Sequence, residues 1–135
     1  MSEVEVRLTF RGPDEILMGL PEVTGSRSRK AGDRVHTAAT VLQDSSGWSV
    51  HSGRPTSDPL EAHVASVVSL LDAHQQALES AASHCLVELS VAVYFEGDGP
   101  DLTLNPSQIA WLAGLGASLD VDLYPWLPDR PAEGT

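Results

Sequence analysis

Aromatic residues are scarce in this chain of 135 residues: two Phe, two Tyr and three Trp, or 5%. Its core therefore has to be built largely from Leu, Val, Ile and Ala. Basic residues are nearly as rare, with 8 Lys and Arg against 19 Asp and Glu and a formal net charge of −11. That imbalance argues against a nucleic-acid surface, because binding phosphates needs a net cationic face. A basic partner is electrostatically easier to accept, and solubility alone is the plainer account of the same charge. The single cysteine, Cys85, excludes an intrachain disulfide and fits a reducing compartment. No apolar run approaches the ~20 residues of a membrane span. The N-terminus carries Glu3 and Glu5 where a secretory signal needs a basic segment and then an apolar one. These absences lead to the expectation of one cytoplasmic domain with no membrane or nucleic-acid partner.

The patterning that is present starts with Val4, Val6, Leu8 and Phe10, whose period of two predicts a first strand with one core face. Pro13, Asp14 and Glu15 then predict a short helix, docked by Ile16, Leu17 and Leu20 and ended by Pro21. Residues 25–33 read as a loop from their Gly, Ser and charge content. A hairpin over 36–42 and 47–51 follows, with Trp48 and Val50 on one face and Trp48 as a packing anchor. Asp58 as cap, Pro59 at the first helical position and Glu61 at the third open the longest helix. Its stripe of Leu60, Val64, Val67, Val68, Leu71 and Leu78 should lie on the sheet. His63 falls outside that stripe and is expected to be exposed, while the more polar His74-Gln75-Gln76 leaves open whether the helix runs on or kinks or breaks into a second short helix there. The strongest strand covers 85–95, and the turn cluster at 96–100 predicts its return as a hairpin through 101–104.

Residues 102–124 form the unit most fully specified by their own residues. Asn105 is a good N-cap, Pro106 sits at the first helical position and Gln108 completes a capping box. Ile109, Leu112 and Ala113 are expected to face inward, and Gly116 to supply a left-handed exit. Leu119, Val121 and Leu123 then alternate with Asp120, Asp122 and Tyr124, predicting a strand with its leucines buried. A one-residue slip would bury two carboxylates, so the register is specified. The first, third and last long strands are expected to be central. The whole reads as an α+β two-layer sandwich, a mainly antiparallel sheet with helices on one face, spanning residues 1–124. Pro125, Pro128 and Pro131 predict a mobile tail over 125–135.

Two groups of residues are candidates for binding. With the core strands adjacent, Arg7, Glu88, Tyr94, Asp120, Asp122 and Tyr124 would share one face with Glu5, Thr9 and Ser90. Tyrosines among carboxylates suit a basic peptide segment or polar ligand, and the same residues also suit a plain solvated sheet face. The second group is basic: Arg27, Arg29, Lys30 and Arg34 make up half of the Lys and Arg. Guanidinium groups near a glycine turn can grip a phosphate or carboxylate, or simply pair with the acidic body. The segment lacks the order of a P-loop. Asp120 and Asp122 with Glu88 are a weak match to a hard-metal site, and the five His show no zinc spacing. Cys85 begins a strand in an apolar context, as a packing thiol would. No nucleophile motif is present. The expectation is a chain without catalytic residues, metal or cofactor.

Arg29 to Asp33 (RKAGD), Gly47 to Gly53 (GWSVHSG) and above all LTLNPSQIAWLAGLGASLDVDLY resemble the bacterial "domain of unknown function 4279" family. The likeness runs over residues 4–124 and implies a small α+β protein, with no activity or catalytic residues to carry over. Two readings follow. One is a non-enzymatic protein-binding module, including an immunity-like protein that masks a toxin, using the acidic face against a basic protein. The alternative is a small-ligand sensor or enzyme using the Arg27 to Arg34 segment. Monomer and homodimer both fit.

Overall fold

The computed structural model describes residues 2–29 and 46–126. The alternating N-terminal pattern forms β1 (Ser2–Arg11), with Val4, Val6, Leu8 and Phe10 all buried. A short helix α1 (Asp14–Leu17) follows, with Pro13 at its N-cap rather than inside its first turn. Leu17 and Leu20 dock in the core, and Ile16 packs at its margin.

Residues 26–29, expected to lie in a loop, form strand β2 (Ser26–Arg29). Their charge did not prevent pairing, because an edge strand can hold its polar side chains in water while its backbone bonds inward. β2 pairs antiparallel with β3 (Gly47–His51), which pairs antiparallel with β1. The other arm of the expected hairpin, 36–42, lies outside the described residues. Trp48 is buried edge-to-face on Phe10, with ring centroids 5.6 Å apart, and its indole N–H donates to the Pro21 carbonyl at 3.2 Å. It is the packing anchor its pattern predicts.

The long helical stretch breaks where its polar residues lie: α2 (Leu60–Leu71), a 3₁₀ turn (Asp72–His74) and α3 (Gln75–Ala82). Leu60, Val64, Val67, Leu71 and Leu78 are buried against the sheet. Asp58 does not cap α2; Pro59 holds that position without a side-chain cap. The Asp58 carboxylate is taken instead by Arg54, at 2.6 Å, a charge-assisted partner stronger than a neutral amide. His63 is not exposed but 1% accessible, sealed under the loop that follows β3. The apolar stripe understated the width of the buried face of α2.

β4 (Leu86–Phe95) buries Val87, Leu89, Val91 and Val93 and runs antiparallel to β1 along its full length. No hairpin returns through 101–104, which carry no strand. The chain instead crosses back through α4 (Pro106–Gly114) and enters β5 (Ser118–Pro125) parallel to β4. A parallel neighbour requires such a crossover, which residues 96–117 are long enough to supply. The five-stranded order is β2-β3-β1-β4-β5, so β1 is central and the last strand lies at the edge, against expectation.

The α4 start is as predicted: the Asn105 side chain accepts from the Gln108 amide at 2.9 Å, and the Gln108 side chain accepts from the Asn105 amide at 3.1 Å. Gly116 has the left-handed φ of 63°. The buried face, however, is Gln108, Leu112 and Leu115, while Ile109 is 55% exposed and Ala113 is exposed too. Gln108 donates to the Glu61 carbonyl at 2.9 Å, and the Trp111 indole donates to the Gln75 side chain at 2.8 Å. These ties hold α4 on α2 and α3. Leu119 and Leu123 do point to the helical side of the sheet, yet they remain 52% and 56% exposed. β5 continues through Pro125, and Trp126 donates its amide to the Phe95 carbonyl at 2.7 Å. The fold is the expected α+β sandwich, with a mixed sheet and helices on one face. Among the described residues no helix is long and apolar enough to cross a membrane.

Candidate functional site

Because the helices cover one side of the sheet, the alternate residues of every strand meet solvent on the other. The register sets them in rows: Glu3, Tyr94 and Tyr124; then Glu5, Ala92 and Asp122; then His51, Arg7, Ser90 and Asp120; then Arg27, Ser49, Thr9, Glu88 and Ser118. Arg7, Glu88, Tyr94, Asp120, Asp122 and Tyr124 thus share one face, as their alternation predicts. Arg27 joins them there, two strands from Thr9, so the acidic and basic candidates occupy different parts of one surface. Arg29 pairs with Gly47 in register, and Lys30 and Arg34 lie outside the described residues.

At one end of the face the rings stack. Tyr94 and Tyr124 are parallel-strand neighbours with centroids 4.9 Å apart and planes inclined by 17°, and Trp126 stacks on Tyr94 at 6.0 Å. Both tyrosines and one of three tryptophans are therefore placed outside the core of a chain that has few rings to spare. With Glu3, Glu5, Leu123 and Pro125 they bound a hollow of 790 Å³. Ring faces carry negative quadrupole potential, so rings and carboxylates together attract a cation. Trp126 escaped the sequence reading because the proline count assigned 125–135 to a tail, and Glu3 because the first strand was read from Val4. The signal was there, since Trp126 extends the Tyr124 alternation by one period.

The opposite end is cationic. Arg7, Thr9, Arg11, Arg27, Ser49 and His51 line a second hollow of 440 Å³, with no acidic residue in its lining. Burial holds the His51 imidazole below its usual range; Arg7 and Arg27 act in the same direction, and Glu5 opposes them. Between the two ends a smaller depression of 210 Å³ brings Arg7 and His51 near Asp122.

Glu88 is engaged locally, its Oε1 accepting from the Ser90 hydroxyl at 2.9 Å. Among the described residues no three His, Cys, Asp or Glu side chains are placed to hold a metal ion. Cys85 is half-buried, and that burial raises its thiol above the usual range, away from the reactive thiolate.

No curated protein and no solved structure matches this chain. The family model for a domain of unknown function, DUF4279, matches residues 4–126. Apart from the first residues of β1, that span takes in every strand and helix among the described residues, and the chain belongs to the DUF4279 family.

Proposed function

We propose that this protein is a non-enzymatic, cytoplasmic binding module that takes a basic segment of a partner protein on its open sheet face. The observation that carries the reading is the stack of Tyr124, Tyr94 and Trp126 beside Glu3 and Glu5. A Lys or Arg side chain laid on these rings gains cation–π attraction of about 0.5–2 kcal/mol, increasing as the site is desolvated. The carboxylates of Glu3, Glu5 and Asp122 add charge-assisted hydrogen bonds and steer the encounter. Tyrosine and tryptophan are also the side chains that most often dominate protein interfaces. A toxin masked by an immunity-like partner is one protein of that chemistry.

The test is a calorimetric titration at low salt with an unstructured Lys- and Arg-rich peptide and a Glu-rich peptide of equal length. The basic peptide should bind, the acidic one should not, and Tyr94→Ala or Glu3→Gln/Glu5→Gln should weaken binding by about tenfold. Equal affinity in wild type and variants, or no binding of the basic peptide, would remove the proposal.

A further inference from the structure

The cationic hollow is independent of that reading and has a different chemistry. Arg7, Arg11 and Arg27 surround a floor made by Thr9, Ser49 and Gly47, with His51 at one side. Adjacent strands are about 5 Å apart and two residues along a strand span about 7 Å. Arg27 therefore stands about 10 Å from Thr9, while Arg7 and Arg11 lie one row to either side of it. All three guanidinium groups can reach a common point above the Thr9 and Ser49 hydroxyls.

Like charges gathered in this way repel, and the chain has carboxylates in excess with which to pair them. It does not do so. Among the described residues the one ion pair is Arg54 with Asp58, neither of which lines this hollow. Glu88, in the same row as Thr9, accepts from Ser90 instead. Three unneutralised guanidinium groups over two hydroxyls are a set of donors without an acceptor.

We infer that Arg7, Arg11 and Arg27, with Thr9 and Ser49 beneath them, form a site for the phosphoryl group of a small molecule. A phosphoryl group carries close to two negative charges and three strongly accepting oxygens, so it can take donors from three sides and from below. A planar carboxylate cannot use that arrangement as fully. The volume of 440 Å³ leaves room for the remainder of a small ligand. Glu5, Glu88 and Asp120 border the site on the same face and would repel a long polyphosphate backbone, which favours a compact anion over nucleic acid.

The test follows thermal unfolding with inorganic phosphate and with pyrophosphate, each against sodium chloride of matched ionic strength. Wild type should show a saturable rise in Tm with at least one of the two anions. Arg7→Gln/Arg27→Gln should need about tenfold or more of the same anion, whereas Arg54→Gln should respond as wild type. In parallel, the His51 ring resonances of wild type should shift with the same half-saturation, a readout that needs no variant to fold. A response to pyrophosphate alone assigns a diphosphate-bearing ligand, and a response to both assigns a single phosphoryl group. No response beyond that of sodium chloride, an equal response in Arg7→Gln/Arg27→Gln, or a His51 ring that does not move would overturn the assignment.

Discussion

His63 shows how one residue can be placed against its own pattern. It lies off the apolar stripe of α2, yet its ring is buried with Nδ1 2.6 Å from the Ser52 hydroxyl, and Nε2 is buried without a partner. The Ser52 carbonyl accepts from Ser66 at 2.6 Å, so the pair ties the loop after β3 to the helix. Burial, only partly opposed by Asp58, lowers the imidazole below 6.5. The unfolded chain therefore takes up a proton before the folded one does. Stability is fully present above about pH 6.5 and is lost as the pH falls from there toward the folded value. Urea midpoints at about pH 7.5 and pH 5.5 should differ accordingly, and His63→Leu should shrink the difference. His51 is lowered as well, so His51→Gln serves as the control for its share. An unchanged difference in His63→Leu would count against this account. Nothing near His63 in the sequence announces its burial, because its partner Ser52 is brought in by the loop.

The scale of the element is where reading from sequence succeeds and fails side by side in α4. The capping box needs only Asn105, Pro106 and Gln108, all within one turn, and it is present as read. The buried face needs the neighbouring helices. Hydrophobicity favours Ile109, but Gln108 is chosen because it can satisfy the Glu61 carbonyl while still closing the cap. Asn105→Ala should cost about 1 kcal/mol, the usual value of a cap. Gln108→Ala should cost more, about 2 kcal/mol, since it removes the reciprocal cap bond and the side-chain tie to α2 together. Chemical denaturation of the two variants gives the order, and equal costs would mean that the bond to Glu61 contributes little. The same ties explain β5. α4 is held on α2 and α3, so the leucines of β5 point to the helical side and still find incomplete cover.

For the whole molecule the governing quantity is the charge of −11, spread so that carboxylates flank the aromatic end of the open face and arginines the other. Self-repulsion of such a net charge opposes the compact state and is screened by salt. Raising sodium chloride from about 0.05 to 0.5 M should lift the Tm by about 2–5 °C. The same change should weaken binding of the basic peptide. Calorimetry reads the first effect, and a Tm that falls with salt would show that local attractions outweigh the net repulsion.

The sequence by itself determined the core faces of β1, β3 and β4, the capped α4 and the α+β class, because each is carried by period or by residues within a few positions of one another; whether the long helix breaks near His74 it left open. With the core strands taken as neighbours, it also placed Tyr94, Tyr124, Asp120, Asp122 and Arg7 on a common face, since alternation assigns the face within each strand. Only the tertiary structure decided strand order, the parallel placing of β5 at the edge, the burial of His63 and Gln108, and the meeting of Arg7, Arg11 and Arg27 in one hollow. Those depend on which backbone edges pair and which buried polar groups find partners across long separations. Such contacts are chosen by the packing of the whole chain, and no local pattern records them.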